Sequence, residues 1–424
     1  MKPNKLQKRV IFYCGCGGLL EFYDFIIYAL LAPVLAALFF HTDNTITALL
    51  ATFTTFAVGY LVRPIGGIIF GHFGDRYGRK KVFLMTIVLM ACATFAIGLV
   101  PSYQHIGITA TILVEILRVL QGISIGGEIP GAITYLSESM PKQRGVVTAI
   151  IFFFLINGIT LGSGLHYFIQ ALLTPEQFVV WGWRCLFFAG GLFGLVSFFA
   201  RTKMVESPLF QACHLNEKAP CIAVLKQLSP TILLTTLIAG TGASYITGLY
   251  LFLPAFFNSI LQFVPTHFLL VLTVSIFLCS LSTLVFGYLS QKYSKPLLML
   301  VLTLIGTLCA PLIFLAYVHH IAVVAFIVFS CLLIGAIWGV IPGFLPEFFP
   351  THLRYSGVAL CYNLAFAVFG GLTPVISLFL IDVTGQPFAA AYYILLLSVC
   401  SVVISLTLIL RYRRNQYAAE RYFQ

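Results

Sequence analysis

Apolar residues run through this chain in long blocks without alternation, and charges, Pro and Gly cut each block from the next. A bilayer core of about 30 Å asks for about 20 mostly apolar residues per helix. On that measure the chain divides into twelve segments, near 11–40, 48–72, 82–100, 107–136, 145–171, 181–200, 229–257, 266–290, 297–317, 320–345, 356–382 and 387–411. The runs are too long for a membrane β-barrel and lack its period-two pattern. The expected fold is therefore an all-α polytopic membrane protein with twelve transmembrane helices. The first block follows Lys2, Lys5, Lys8 and Arg9, as a secretory signal would, but Glu21 and Asp24 interrupt it and it continues to Phe40. It is expected to remain as the first helix.

Composition sharpens that picture. Hydrophobic residues make up 60% of the 424, charged residues only 9%, and mean hydropathy is +1.01, against about 25% charged in an ordinary soluble domain. A soluble globule of this size cannot hide so much apolar surface, which excludes soluble, disordered and nucleic-acid-binding classes. The net charge of +11 sits in short clusters between apolar blocks, so no nucleic-acid partner is expected. With the N-terminus placed in the cytoplasm, 21 of the 24 Lys and Arg fall in the tails or in the connections on that same side. The six opposite connections carry none, and Arg63, Arg118 and Arg184 lie within or at the edges of spans. This is a positive-inside pattern with both termini cytoplasmic, expected for a multi-pass protein of a cell (inner) membrane. The eleven Cys lie mostly in apolar segments and read as small buried hydrophobes, not as disulfides or metal ligands. Gly15-Cys-Gly17-Gly18 precedes no strand and is no phosphate cradle, and no nucleophile–base set is visible. Neither an enzyme nor a cofactor is expected, and no metal.

The two halves of the chain echo one another. The longest polar connection divides it into an N-terminal bundle, 1–200, a connecting segment, 201–228, and a C-terminal bundle, 229–424. Leu136-Ser-Glu138-Ser-Met-Pro141, with Arg144 beyond, recurs as Leu345-Pro-Glu347-Phe-Phe-Pro350, with Arg354 beyond. The loop Gly71-His-Phe-Gly-Asp75-Arg76-Tyr-Gly78-Arg79-Lys80 has a degraded counterpart from Gly287 to Lys295. Parallel six-span repeats are the architecture of a rocking transporter.

That loop resembles the signature loop of the major facilitator superfamily. Finer features resemble its metabolite:proton symporter family, the group of proline/betaine, citrate, α-ketoglutarate and shikimate carriers. They are Glu21-Phe-Tyr23-Asp24-Phe25, Arg63-Pro64-Ile-Gly66-Gly67, Arg118-Val-Leu-Gln121-Gly122 to Gly126-Gly127-Glu128, Gly182-Trp183-Arg184, Glu206-Ser-Pro208, Glu347-xx-Pro350-xxx-Arg354 and Gly370-Gly371-Leu-Thr-Pro374. The likeness spans residues 21 to about 374; Gln291 departs from it, standing where many relatives have Asp. The resemblance implies two pseudo-symmetric six-helix bundles, acting as a monomer, with the first and fourth helices facing a central cavity.

A charge near the bilayer centre costs at least about 2.5–3.5 kcal/mol, so each one needs a partner or a job. Glu21, Asp24 and Glu115 lie well inside spans, with one well-buried basic residue, Arg118. At 100° per residue Glu21, Asp24 and Tyr28 share one face of the first helix, and Glu115, Arg118 and Gly122 share one face of the fourth. Arg118 is expected to attract a substrate carboxylate, with Asp24, Glu21 or Glu115 carrying the proton that serves as coupling ion. The alternative for Glu115 and Arg118 is a fixed brace, one turn apart.

Arg63, Gly71, Asp75, Arg76, Gly78, Arg79, Glu128, Glu138 and Arg144 read as an inner gate, with Asp75 capping the helix that begins near Ser356 and Gly357. Asn157, Tyr245, Tyr250, Trp338, Tyr362 and Asn363 are candidates for the cavity lining, an aromatic set suited to a quaternary ammonium. His166 reads as scaffold more than as a titrating site. The fifth span carries Ser163 where the drug–proton antiporter pattern has Pro, which argues against an efflux pump. The expected function is proton-coupled uptake of a small carboxylate-bearing or zwitterionic metabolite. The alternatives are a proton-driven exporter and a transport-dead membrane sensor.

Overall fold

The computed structural model describes residues 5–40, 45–77, 79–202, 229–350 and 354–422; side chains of 5–10, 71–83, 411–422 and a few single positions are outside the description. All regular secondary structure among these residues is helical. The first span is bent, Gly15–Leu30 followed by Ala32–Phe39 at 64°, and together these are α1. The remaining spans are α2 (Leu50–Phe70), α3 (Leu84–Leu99), α4 (Ile108–Glu138), α5 (Pro141–Leu172) and α6 (Pro175–Phe199) in the first half. The second half holds α7 (Ser229–Ile260), α8 (Phe268–Lys292), α9 (Lys295–Val318), α10 (Val323–Phe348), α11 (Arg354–Thr384) and α12 (Pro387–Leu410). Each coincides with one of the apolar blocks. In hydrocarbon every backbone polar group must be satisfied within its own segment, so an apolar block of this length has no alternative to a helix. The bend in α1 falls where Pro33 starts the second piece, since proline cannot donate the intrahelical bond.

Packing sorts the helices into a centre and a rim. α1 packs on α5, α2 on α4, α7 on α11 and α8 on α10, while α3 pairs with α6 and α9 with α12 at the outside. Burial follows: 83% of the most apolar stretch of α7 is buried, but 33% of that of α12. Exposed leucines, valines and phenylalanines such as Val196, Phe199, Leu308, Leu396 and Leu410 cover the rim, where lipid tails meet them at no cost. The halves meet along α5–α8, α5–α10, α2–α11 and α4–α11.

Small residues decide how closely α2 and α4 cross. A Cβ on Gly122 would land on the Gly59 carbonyl oxygen, one on Gly66 on the Ile123 carbonyl oxygen, and one on Gly126 on the Arg63 carbonyl oxygen. These glycines let two backbones touch, which sets the rotation of α2 and α4 about each other. Gly122→Ala asks one backbone to move away from another and is expected to destabilise by about 1–3 kcal/mol. The check is the thermal midpoint in detergent; an unchanged midpoint would mean the crossing is looser than described.

Candidate functional site

The buried charges converge between α1, α2 and α4. Glu21 Oε1 accepts from Arg63 Nη2 at 3.0 Å, with both side chains 1% exposed. Arg63 also lies with Cζ 4.5 Å from the Tyr60 ring centre and 5.2 Å from that of Phe366. Sequence grouped Arg63 with the gate; the structure places it deeper. α2 breaks for one residue at Val62, and the helical piece that starts at Arg63 continues in its backbone to Tyr77, so the guanidinium sits about four turns inside that end.

One turn further along α1, a second set forms. Arg118 is fully buried, with Cζ 4.3 Å above the Tyr28 ring and 5.6 Å from Phe56. Gly59 leaves room for it, since a Cβ there would stand 3.1 Å from Nη2. Arg118 Nη1 donates to Gln121 Oε1 at 2.9 Å, and Gln121 Nε2 donates to Thr94 Oγ1 at 2.7 Å. Thr94 Oγ1 in turn donates to Asp24 Oδ2 at 2.6 Å. All four residues are buried. Glu115 is only partly buried and accepts from Thr55 Oγ1 at 2.5 Å. The hydroxyl of α2, not the guanidinium one turn away, is its hydrogen-bond partner.

Of the lining candidates, four lie where the halves meet. Trp338 stacks on Phe152 at 5.0 Å and on Phe366 at 5.4 Å, and its Nε1 donates to the Gly242 carbonyl at 3.1 Å. Tyr362 contacts Phe152, Trp338 and Phe366, and Asn363 Nδ2 donates across the halves to the Gly126 carbonyl at 2.6 Å. Tyr250 meets Ser163 hydroxyl to hydroxyl at 2.9 Å, joining α7 to α5. The other two bond elsewhere. Tyr245 turns to the rim, against Gly306 of α9 and 2.6 Å from the Ser398 hydroxyl of α12. Asn157 bonds the Phe153 carbonyl of its own helix at 2.7 Å, the local outlet for a helical amide.

The gate candidates within the described residues clasp the halves on the face that carries the basic loops. Glu138 accepts from Arg354 at 3.0 Å, and its repeat-mate Glu347 lies 3.5 Å from Arg144 and 2.7 Å from Lys295. Each half's glutamate thus meets the other half's arginine. Tyr355 adds a bond to the Gly127 carbonyl at 3.1 Å, and Glu128 is buried at the start of the same helical piece. The surroundings of Gly71 and the side chains of Asp75, Arg76 and Arg79, with all of Gly78, lie outside the described residues, as does the expected Asp75 cap. On the opposite face a cavity of 640 Å³ opens between the halves, lined by Leu30, Val34, His166, Gln170, Asn258 and His267 among others. Leu30 in its wall is two residues from Tyr28, the ring under Arg118. His166 stacks on Phe178 at 5.3 Å.

Sequence reading did not single out Thr94, Thr55, Tyr60 or Phe366, and it named Gln121 only within the motif that carries the family resemblance. Gln121 had a signal, three residues after Arg118 on the same helix face; a lone threonine in an apolar span had none.

Among the described residues ten helices are long and apolar enough to cross a membrane, or eleven with the bent α1 counted as one span, and they pack as two halves with charged side chains buried inside the first: this is the build of a multi-pass membrane protein. Residues 14–362 match the Major Facilitator Superfamily. The putative proline/betaine transporter of Staphylococcus aureus is 32% identical over 95% of this chain and 88% of its own length. The proline/betaine transporter of Escherichia coli is 30% identical over 96% of this chain and 84% of its own. A glycine betaine/proline/ectoine/pipecolic acid transporter of Dickeya dadantii is 29% identical over 94% and 82%. Among solved structures, the inward-open xylose transporter XylE from E. coli superposes with a TM-score of 0.73 at 17% identity, covering 93% of this chain and 95% of that one. The chain belongs to the major facilitator superfamily, and to the same family as these proline/betaine transporters.

Proposed function

We propose that this protein imports small zwitterions of the proline and betaine kind, each with one proton, by exposing a site between its halves to one side of the membrane and then the other. The observation that carries the reading is the buried chain of bonds from Arg118 to Asp24 inside the first half, with Arg118 over Phe56, whose neighbour Tyr60 stacks on Phe366 of the second half. A zwitterion needs one cationic donor for its carboxylate and π-faces for its ammonium. Arg118 supplies the first, and Tyr60, Trp338, Tyr362 and Phe366 supply the second. Proline and glycine betaine, after which the relatives are named, have this chemistry. Asp24 takes the proton. The basic face is cytoplasmic, with both termini on it, and the exchanged Glu138–Arg354 and Glu347–Arg144 pairs hold the halves closed there until the cavity on the outer side is occupied.

A proton entering with a neutral zwitterion carries one charge inward, worth about 2.3 kcal/mol per 100 mV, or roughly 50-fold accumulation. The test uses proteoliposomes that are inside-negative and acid outside, given labelled proline or glycine betaine. Uphill uptake abolished by an uncoupler is expected, and Asp24→Asn is expected to retain substrate exchange while losing accumulation. Uptake indifferent to the uncoupler would overturn the coupling, and net efflux under the same gradient would make the protein an exporter.

A further inference from the structure

We propose that Thr94 and Gln121 are positioning residues that carry the occupancy of Arg118 to the proton site on Asp24, a deepening that rests on the coupling reading above. The bond directions carry the inference. A guanidinium has no acceptor, so Gln121 must turn its amide oxygen to Arg118, which leaves its Nε2 facing Thr94. Thr94 Oγ1 receives that N–H and so cannot donate back along the same line. Its single hydrogen goes to Asp24 Oδ2. Each link therefore fixes the next, and every donor in the chain points from Arg118 towards Asp24.

The chain is polarised to favour one state of the acid. Hydrogen bonds donated to a carboxylate stabilise its ionised form, and bonds to a charged partner are the stronger ones. A substrate carboxylate that takes Nη1 of Arg118 removes the anchor of the Gln121 amide. Once the amide turns, Thr94 regains the ordinary outlet of a helical threonine, its own carbonyl four residues back. Asp24 then loses its donor and takes up a proton. The receiving atom is already set apart: Asp24 Oδ1 is buried and accepts no hydrogen bond among the described residues. It faces Gly190 of α6, where a Cβ would stand 2.8 Å from Oδ1 and 2.8 Å from Thr94 Cγ2. The absent side chain leaves that oxygen the space for a hydrogen. Linkage makes the effect reciprocal, so a protonated Asp24 frees Arg118 for a carboxylate. A relay of this kind ties the two cargoes together without contact between the substrate and the acid.

The bland alternative is that Thr94 and Gln121 merely satisfy buried polar atoms, as most buried side chains do. A pH titration followed by infrared difference spectroscopy separates the two without needing to know the substrate. The carboxyl band present in the wild-type protein and absent in Asp24→Asn reports the proton on Asp24. Thr94→Val keeps the shape and removes the hydroxyl; Gln121→Leu leaves Thr94 in place and cuts the link to Arg118. Both are expected to move the appearance of that band to higher pH, by about one unit for Thr94→Val, and Thr94→Ser is expected to restore it. Bands in Thr94→Val and Gln121→Leu that titrate as in the wild type would overturn the relay alone. If Asp24→Asn removes no band, Asp24 takes no proton and the coupling reading falls with the relay.

Discussion

Glu21→Gln is expected to lower folding stability by about 3–5 kcal/mol, because it leaves the buried Arg63 guanidinium without its carboxylate. An ion pair taken fully out of water gains little over apolar side chains of the same volume, but losing one partner exposes the whole desolvation cost of the other. The double variant Glu21→Leu with Arg63→Met is therefore expected to recover most of the loss. Aromatic faces of Tyr60 and Phe366 already line the space the guanidinium occupies, so an apolar replacement meets apolar neighbours. Thermal unfolding of the detergent-purified protein reads both. A single variant as stable as the wild type would show that Glu21 and Arg63 do not depend on each other.

The second large effect concerns Arg118. Arg118→Gln keeps a polar group of similar reach but removes the charge, and glycine betaine binding is expected to weaken by about 2–5 kcal/mol, the range for truncating one side of a buried charge pair. That is roughly thirtyfold to a few thousandfold in Kd, and calorimetric titration with glycine betaine measures it. Arg118→Lys should fall between the two, since a point charge replaces a flat fork that can hold a carboxylate at two atoms. Undiminished affinity in Arg118→Gln would take the carboxylate away from Arg118 and place substrate recognition elsewhere in the junction.

How much of this was legible beforehand differs from residue to residue. The charges in the spans stood out because an ionised group in an apolar run is expensive wherever it lies. Their partners did not. Helical periodicity put Glu115 and Arg118 on one face, yet Glu115 bonds Thr55 across the helix boundary. It put Glu21 with Asp24 and Tyr28, yet Glu21 belongs to Arg63 and Asp24 to Thr94. The repeat paired Glu138 with Glu347 and Arg144 with Arg354 as equivalent positions, and the pairs that form are the crossed ones. Equivalence in a repeat says which positions are alike; it does not say which of them meet. Tyr245 shows the same limit from the other side: its chemistry suited a cavity wall, and the rotation of α7 turned it to Ser398 instead.

The amino-acid sequence alone determined that this chain spans a membrane many times as helices, which ends carry the positive charge, and that a few acids and arginines inside it need a purpose. Those properties follow from the energy of moving single residues out of water, a quantity that needs no neighbours. Tertiary structure decided everything that depends on distance between helices. The glycine contacts of α2 and α4 fix how far each helix turns about its axis, and that turn alone chooses whether a guanidinium faces a carboxylate, an amide or a ring.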